Sequence, residues 1–250
     1  MAGHSHWANI ARKKSVIDAK RGKLWSKLSK AIIVAAKMGG GDPDANLRLR
    51  YAIDEAKSVS MPKENIQRAI KRGTGELDGG NLDEMLYEGY GPGGVAVLCE
   101  ILTDNTNRTA PEIRKVFEHA DGELGKTGCC AWMFDRKGLF TISASKVVED
   151  KLMEVALEAG ADDVKHNGDT FEVTCDPNAY TQVSLALAAA GIETDSHQVA
   201  RIPSNTVDVD VETGRKVLQL IENLDDHDDV QSVASNFNIP DDVLAQIEAG

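Results

Sequence analysis

GLFTISASKVVEDKLMEVALEAGADDVKHNGDTFEVTCDPNAYTQVSLALAAAGIETDSHQVAR, residues 138–201, is the stretch whose periodicity decides the architecture. Period-two patterning predicts strands over 138–143, 162–167, 169–175 and 192–201. Helical spacing of apolar residues predicts helices over 145–159 and 177–190. The order is β-α-β-β-α-β, the ferredoxin-like pattern, with Asn167-Gly168 as its central hairpin turn.

Working outward, the segment after Pro203-Ser204 reads as strand 206–211, helix 212–224, an acidic turn, strand 229–236 and a short helix from Pro240. On the other side, strands 83–90 and 94–103 are joined by Gly91-Pro92-Gly93, a turn signal. Thr109 and Glu112 make a capping-box pattern with Pro111 in the first turn. CCAWMF (129–134) reads as a strand apolar on both faces, hence central. These upstream strands lack a second βα half, and the tail supplies one. The expectation is a discontinuous α/β domain, 83–134 with 205–250, into which the ferredoxin-like domain 135–204 is inserted.

The N-terminal part has another character. Residues 1–22 are small, polar and basic, and are expected to form a flexible arm that orders on contact. Leu24, Leu28, Ile32 and Ala35 then fall on one helical stripe that Gly39-Gly40-Gly41 ends. A second helix is expected over 45–58, with Leu49, Ala52, Ile53 and Ala56 inward. A third opens at Pro62 and stops at Gly73, with Ile66, Ala69 and Ile70 inward. Together they form a helical bundle over 23–75. The fold class is α+β: an N-terminal three-helix bundle with a basic arm, plus two α/β domains.

Charge follows the same division. The first 73 residues carry sixteen Lys/Arg against six Asp/Glu, and the remaining 177 carry twelve against thirty-four. The formal net charge of −12 therefore hides a basic module ahead of an acidic body. Such a module attracts phosphate, and counterion release from a polyanion supplies the binding free energy. A basic face that is merely solvated, or that rests on the acidic body, would have the same composition.

Other classes find little support. No apolar run approaches a membrane span, and no signal-peptide core opens the chain, so a cytoplasmic protein is expected. Cys99, Cys129, Cys130 and Cys175 form no metal or disulfide framework and read as small buried hydrophobes. GYGPGG (89–94) contains G-x-G-x-x-G, but a strand follows it where a dinucleotide site needs a helix. Ala2-Gly3-His4 could hold Cu(II) if Met1 is removed, and Asp225–Asp229 could hold a hard cation, yet neither has a supporting pattern. No catalytic constellation is present; Asp104, Asn105, Arg108 and Thr109 are the best polar cluster and read equally well as a helix cap. No enzyme, metal or cofactor is expected.

GHSHWANIARKK (3–14), DAKRGKLWSKLSKAIIVAAKMGGGDPDANLRLR (18–50), MPKENIQRAIKRGTG (61–75), YEGYGPGGVAV (87–97) and LTDNTNRTAPEIR (102–114) closely resemble the YebC/PmpR family. The resemblance implies a helical N-terminal domain plus two α/β domains, and a non-enzymatic, cytoplasmic, probable transcriptional regulator. Some members of that family bind promoter DNA. Others, including mitochondrial relatives, act as translation factors on the ribosome. CCAW (129–132) and ADGELG (120–125) depart from the smaller-residue versions in that family.

A nucleic-acid-binding monomer is therefore expected. Arg12, Lys13, Lys14, Lys20, Arg21, Lys23, Lys27 and Lys30 would neutralise phosphates, joined by Arg68, Lys71 and Arg72 on one face of the third helix. Trp7 would stack on a base or anchor the arm. The target is duplex DNA, or ribosomal or messenger RNA. Helices 45–58 and 62–72 have helix-turn-helix spacing, with Lys63, Asn65, Gln67 and Arg68 near the start of the second, which favours DNA. A flexible basic arm suits RNA. The family's description tips the expectation to transcription.

Overall fold

A computed structural model describes residues 18–78, 81–240, 243–244 and 246–247, with side chains from Gly22 onward. The described chain is α+β and divides into two compact units, one of residues 18–131 and 215–235, the other of 132–214 and the segment from Asn236. No described helix is long and apolar enough to cross a membrane.

The first unit opens with three helices, α1 (Asp18–Gly39), α2 (Leu47–Ser58) and α3 (Lys63–Gly73). Residues 18–22, read from sequence as the end of an arm, form the first turn of α1; the rest of the expected arm lies outside the described residues. Leu28, Ile32, Ala35, Leu49, Ala52, Ile53, Ala56, Ile66 and Ala69 make the core, as their spacing predicts. Leu24, expected on the same stripe, is 38% exposed. Trp25 packs instead, and its Nε1 donates to the Val59 carbonyl at 3.4 Å. Buried Asn46 joins α1 to α2: its Oδ1 accepts from Leu49 N, and its Nδ2 donates to the carbonyls of Ala35 and Gly40. Gly73 permits the closest helix approach. A Cβ there would lie 2.4 Å from the Ile33 carbonyl oxygen and 2.6 Å from the Ala36 Cβ, so any side chain would push α3 off α1.

An antiparallel sheet follows in the same unit, in the order β3-β1-β2-β9. Its strands are β1 (Asp83–Tyr90), β2 (Ala96–Thr103), β3 (Glu123–Leu124) and β9 (Val230–Ser235). The tail strand β9 thus pairs with β2, with Cys99 opposite Val233. Helix α4 spans Thr106–His119 and buries Ile113 and Phe117. A Cβ on Gly89 would meet the Phe117 ring at 2.7 Å, which explains the glycine in mid-strand. The helix starts three residues before the expected capping box. Asn105 caps it by accepting from Arg108 N, while Thr109 is already inside, its Oγ1 3.0 Å from the Asn105 carbonyl oxygen.

The expected strand at 129–134 is absent. Residues Ala131–Met133 form a 3-10 turn, because the buried Glu88 carboxylate accepts the N–H groups of Gly128, Cys130 and Ala131. Two of those are donors that a strand over 129–134 would have used for pairing.

The second unit contains β4 (Phe134–Ser143), α5 (Glu149–Glu158), β5 (Ala161–Asn167), β6 (Thr170–Cys175), α6 (Tyr180–Ala189) and β7 (Ser196–Pro203). The sheet order is β5-β6-β4-β7, antiparallel throughout. Phe140, Ile142, Phe171 and Val173 are buried, as are Leu152, Ala156, Val183 and Leu187 from the two helices. Gly168, at a φ of 60°, makes the β5–β6 turn. The strand expected at 206–211 shrinks to β8 (Val207–Asp208), paired in parallel with β10 (Phe237–Asn238). Asp210 ends it by accepting from Thr213 N at the start of α7 (Val211–Asp225). The helix expected from Pro240 falls where only part of the chain is described.

Candidate nucleic-acid interface

Helix α3 is the described basic face. Ile66 and Ala69 turn into the core, and that geometry turns Lys63, Arg68, Lys71 and Arg72 outward. Among the described residues none of these four cations is paired with a carboxylate, in contrast to Arg48 with Glu84, Arg50 with Asp44 and Lys57 with Asp54. Lys63, Gln67 and Arg68 are exposed near the helix start, and Asn65 is half-buried. A cleft of about 310 Å³ lies between α1 and α3, bordered by Trp25, Ser26, Ser29, Asn65, Arg68 and Arg72.

The basic flank of α1 is a different surface from the one expected. Lys23, Lys27 and Lys30 turn to the acidic turn that follows α7. Lys23 donates to the Asp226 carbonyl at 3.0 Å and lies 3.9 Å from the Asp228 carboxylate. Lys27 donates to the Asp225 carbonyl and sits 3.6 Å from its carboxylate. Burial pulls the Lys27 ammonium below its usual value, against the pull of Asp225. Lys30 donates to the Asp228 carbonyl at 3.0 Å and to Asp229 Oδ1 at 2.7 Å. Lys27 and Lys30, expected from sequence to meet external phosphate, make these internal contacts. Lys23 is half-exposed and only loosely held. The physical reason is plain: a row of ammonium groups is the natural cap for helix C-terminal carbonyls and adjacent carboxylates.

Asp229 is the centre of that cluster. Its Oδ2 accepts from Arg108 Nη2 at 2.6 Å, Thr109 Oγ1 at 2.8 Å and Thr103 Oγ1 at 3.1 Å. Arg108 also reaches Asp104 at 3.2 Å. The polar group at 104–109 is therefore occupied in holding α4 and the tail together. Its function in the fold is positioning.

Glu88, Cys129 and Cys130 bring three potential ligand atoms within 4.8 Å of one another. The carboxylate is engaged by the three N–H groups named above. Burial, with Cys129 adding to it, pushes the Cys130 thiol up to about 12. The arrangement anchors a loop.

Trp7, Arg12, Lys13 and Lys14 lie outside the described residues; Lys20 and Arg21 lie in α1, without described side chains. Of the expected contacts, the structure brings Arg68 and Arg72 together at the cleft, with Lys71 exposed next to Arg72. Sequence reasoning did not find Trp25, Ser26 and Ser29 as their neighbours. The available signal was the phase of α1, which the choice of Leu24 for the apolar stripe misplaced.

Comparison with known proteins agrees with this architecture. The profile of the TACO1/YebC protein N-terminal domain matches residues 5–76, and that of the TACO1/YebC second and third domain matches residues 82–237. A probable transcriptional regulatory protein of Rhodopirellula baltica, RB5500, is 58% identical over 98% of this chain and 100% of its own length. A probable transcriptional regulatory protein of Desulfatibacillum aliphaticivorans is 55% identical over the same shares. The crystal structure of a conserved hypothetical protein, Aq1575 from Aquifex aeolicus, superposes with a TM-score of 0.85 at 46% identity, covering 96% of this chain and 99% of that one.

Proposed function

We propose that this chain, which belongs to the TACO1/YebC family, is a non-enzymatic nucleic-acid-binding regulator that contacts promoter DNA as a transcriptional regulatory protein. The observation that carries the reading is the contrast between two basic surfaces. The α3 face presents Arg68, Lys71 and Arg72 without carboxylate partners among the described residues, whereas Lys27 and Lys30 are committed internally. Unpaired cations on one rigid helix are what phosphate contacts require. The names of the R. baltica and D. aliphaticivorans relatives support transcription. The exposed start of α3, with Lys63 and Gln67 ahead of Arg68, suits entry into a major groove.

In this reading the arm residues Trp7, Arg12, Lys13, Lys14, Lys20 and Arg21 extend the contact, and the acidic α/β domains orient the protein. The domain 135–204 is a ferredoxin-like insertion in the domain formed by 83–134 and 205–250. The protein works in the cytoplasm, as a monomer and without a cofactor. A second reading, an RNA- or ribosome-associated translation factor, gains from the internal use of the α1 lysines. What remains is a compact patch better matched to an irregular RNA surface than to a long duplex track.

Two measurements test the choice: promoter occupancy in cells, and sedimentation with ribosomes at low and high salt. Occupancy without ribosome association is the expected result. Ribosome association without occupancy transfers the function to translation, and neither result removes nucleic-acid binding as the function.

A further inference from the structure

The cleft between α1 and α3 deepens that reading, and rests on it. Its volume of about 310 Å³ is at the small end of the range for small-molecule sites. Three kinds of group line it. Trp25 offers an indole whose orientation is set in advance by its bond to the Val59 carbonyl. Ile33 and Met61 add apolar surface around it. Arg68 and Arg72, one helical turn apart on α3, bring two guanidinium groups to one side, and neither has a carboxylate partner among the described residues. Ser26, Ser29 and Asn65 supply short-range donors and acceptors.

This combination fits a nucleotide better than either of its parts alone. An acidic peptide would use the guanidinium groups but would engage the indole only through an additional aromatic residue. A free phosphate would leave the apolar surface unused. A base has a π-face for Trp25 and polar edges for Asn65 and the serines, and its backbone brings phosphate to the arginines. A base stacked and paired within a duplex cannot enter a cleft of this kind. We propose that the cleft takes one unpaired nucleotide of a single strand, its base against Trp25 and its phosphates on Arg68 and Arg72.

The test uses the full chain, with oligouridylate and oligothymidylate as probes beside a blunt DNA duplex. Anisotropy measures affinity. Ser26→Phe, at an exposed position on the rim, fills the cleft and removes no cation. It is expected to weaken single-strand binding about tenfold relative to duplex binding. Equal losses on both probes, or none on either, overturn the inference while leaving nucleic-acid binding intact. Absence of binding to every probe by the parent protein defeats the underlying reading as well.

Should Ser26→Phe fail to fold, the parent protein is photocrosslinked to 4-thiouridine and 4-thiothymidine strands and the adducts are mapped by mass spectrometry. Adducts at Trp25 or Met61 support the cleft, and the strand that gives them names its source as RNA or DNA. Adducts confined to other segments overturn it.

Discussion

Lys30 Nζ lies 2.7 Å from Asp229 Oδ1, across 199 residues of chain. The Asp229 side chain is 4% exposed and also accepts from Arg108, Thr103 and Thr109, so one carboxylate ties α1 to α4 and to the turn before β9. The consequence is a division of labour among the cations of the helical domain. Those of α1 that face the acidic turn belong to the fold. Those of α3 have no carboxylate partner among the described residues.

Stability should depend on Asp229 in a pH-specific way. Burial penalises its charge, but hydrogen bonds from Lys30, Arg108 and Thr109 outweigh that penalty and hold the carboxyl well below the ordinary range. A depressed folded value means that the contribution is present above the unfolded value near ~3.9 and lost as pH falls through the folded one. Denaturant midpoints of the parent should hold down to about pH 4 and then decline. Asp229→Asn should cost roughly 3 kcal/mol at neutral pH, because Lys30 and Arg108 lose their counter-charge, and should soften the acid decline. A variant as stable as the parent at neutral pH would show that the cluster contributes nothing net.

Affinity and stability should separate between α3 and α1. Charge reversal at Arg68, Lys71 and Arg72 should weaken nucleic-acid binding strongly and change thermal unfolding little, since all three are exposed. In the parent, each phosphate contact adds about −0.9 to the slope of log K against log salt for duplex DNA, or about −0.7 for single strands. The triple variant should flatten that slope by two to three such increments. Lys27→Gln with Lys30→Gln should do the reverse, lowering the melting temperature with little effect on the slope. Salt-insensitive binding by the parent would remove the electrostatic mechanism.

The arm makes its own prediction. Lys13→Glu with Lys14→Glu should abolish binding without altering the unfolding transition. Loss of folding in that variant would make the arm structural.

Much of this architecture is legible in local pattern. Strand β1 has the bounds that its alternation predicts, and the buried residues of α2 are the four that its period selects. Long-range chemistry is what local pattern misses. The lysines at 23, 27 and 30 and the carboxylates at 225–229 are each conspicuous in sequence, but no periodicity announces that they meet. CCAWMF has the composition of a central strand, and only the buried Glu88 explains why its backbone donors turn away. The cleft is lined from both α1 and α3, so its lining could not be read from either helix alone.

Glu88 should behave as a loop anchor. Its carboxylate accepts three backbone N–H bonds from Gly128, Cys130 and Ala131. Glu88→Gln replaces one acceptor oxygen by a donor facing those groups, and should cost roughly 2–3 kcal/mol in chemical denaturation. Amide exchange at Gly128, Cys130 and Ala131 should accelerate in the variant. Unchanged exchange there would mean that the loop is held by other contacts.

Glu172 gives the opposite pH signature to Asp229. It is 2% exposed in β6, its Oε1 has no hydrogen-bond partner among the described residues, and Thr141, its neighbour across the β4–β6 ladder, likewise has an unpartnered Oγ1. Burial pushes the Glu172 carboxyl up to about 7, although Lys165 on β5 and Asn167 pull the other way. A raised folded value means that the favourable form is the neutral acid. Its contribution is full below the unfolded value near ~4.3 and is lost progressively as pH rises toward and through 7. The melting temperature should therefore fall between about pH 5 and pH 8, by an amount equivalent to roughly 1–3 kcal/mol. Glu172→Gln cannot ionise. It should be no more stable than the parent at pH 5, match or exceed it at pH 8, and show a flatter profile between. A variant whose profile runs parallel to the parent's would mean that the carboxylate is accommodated in its charged form, with Lys165 as its counter-ion.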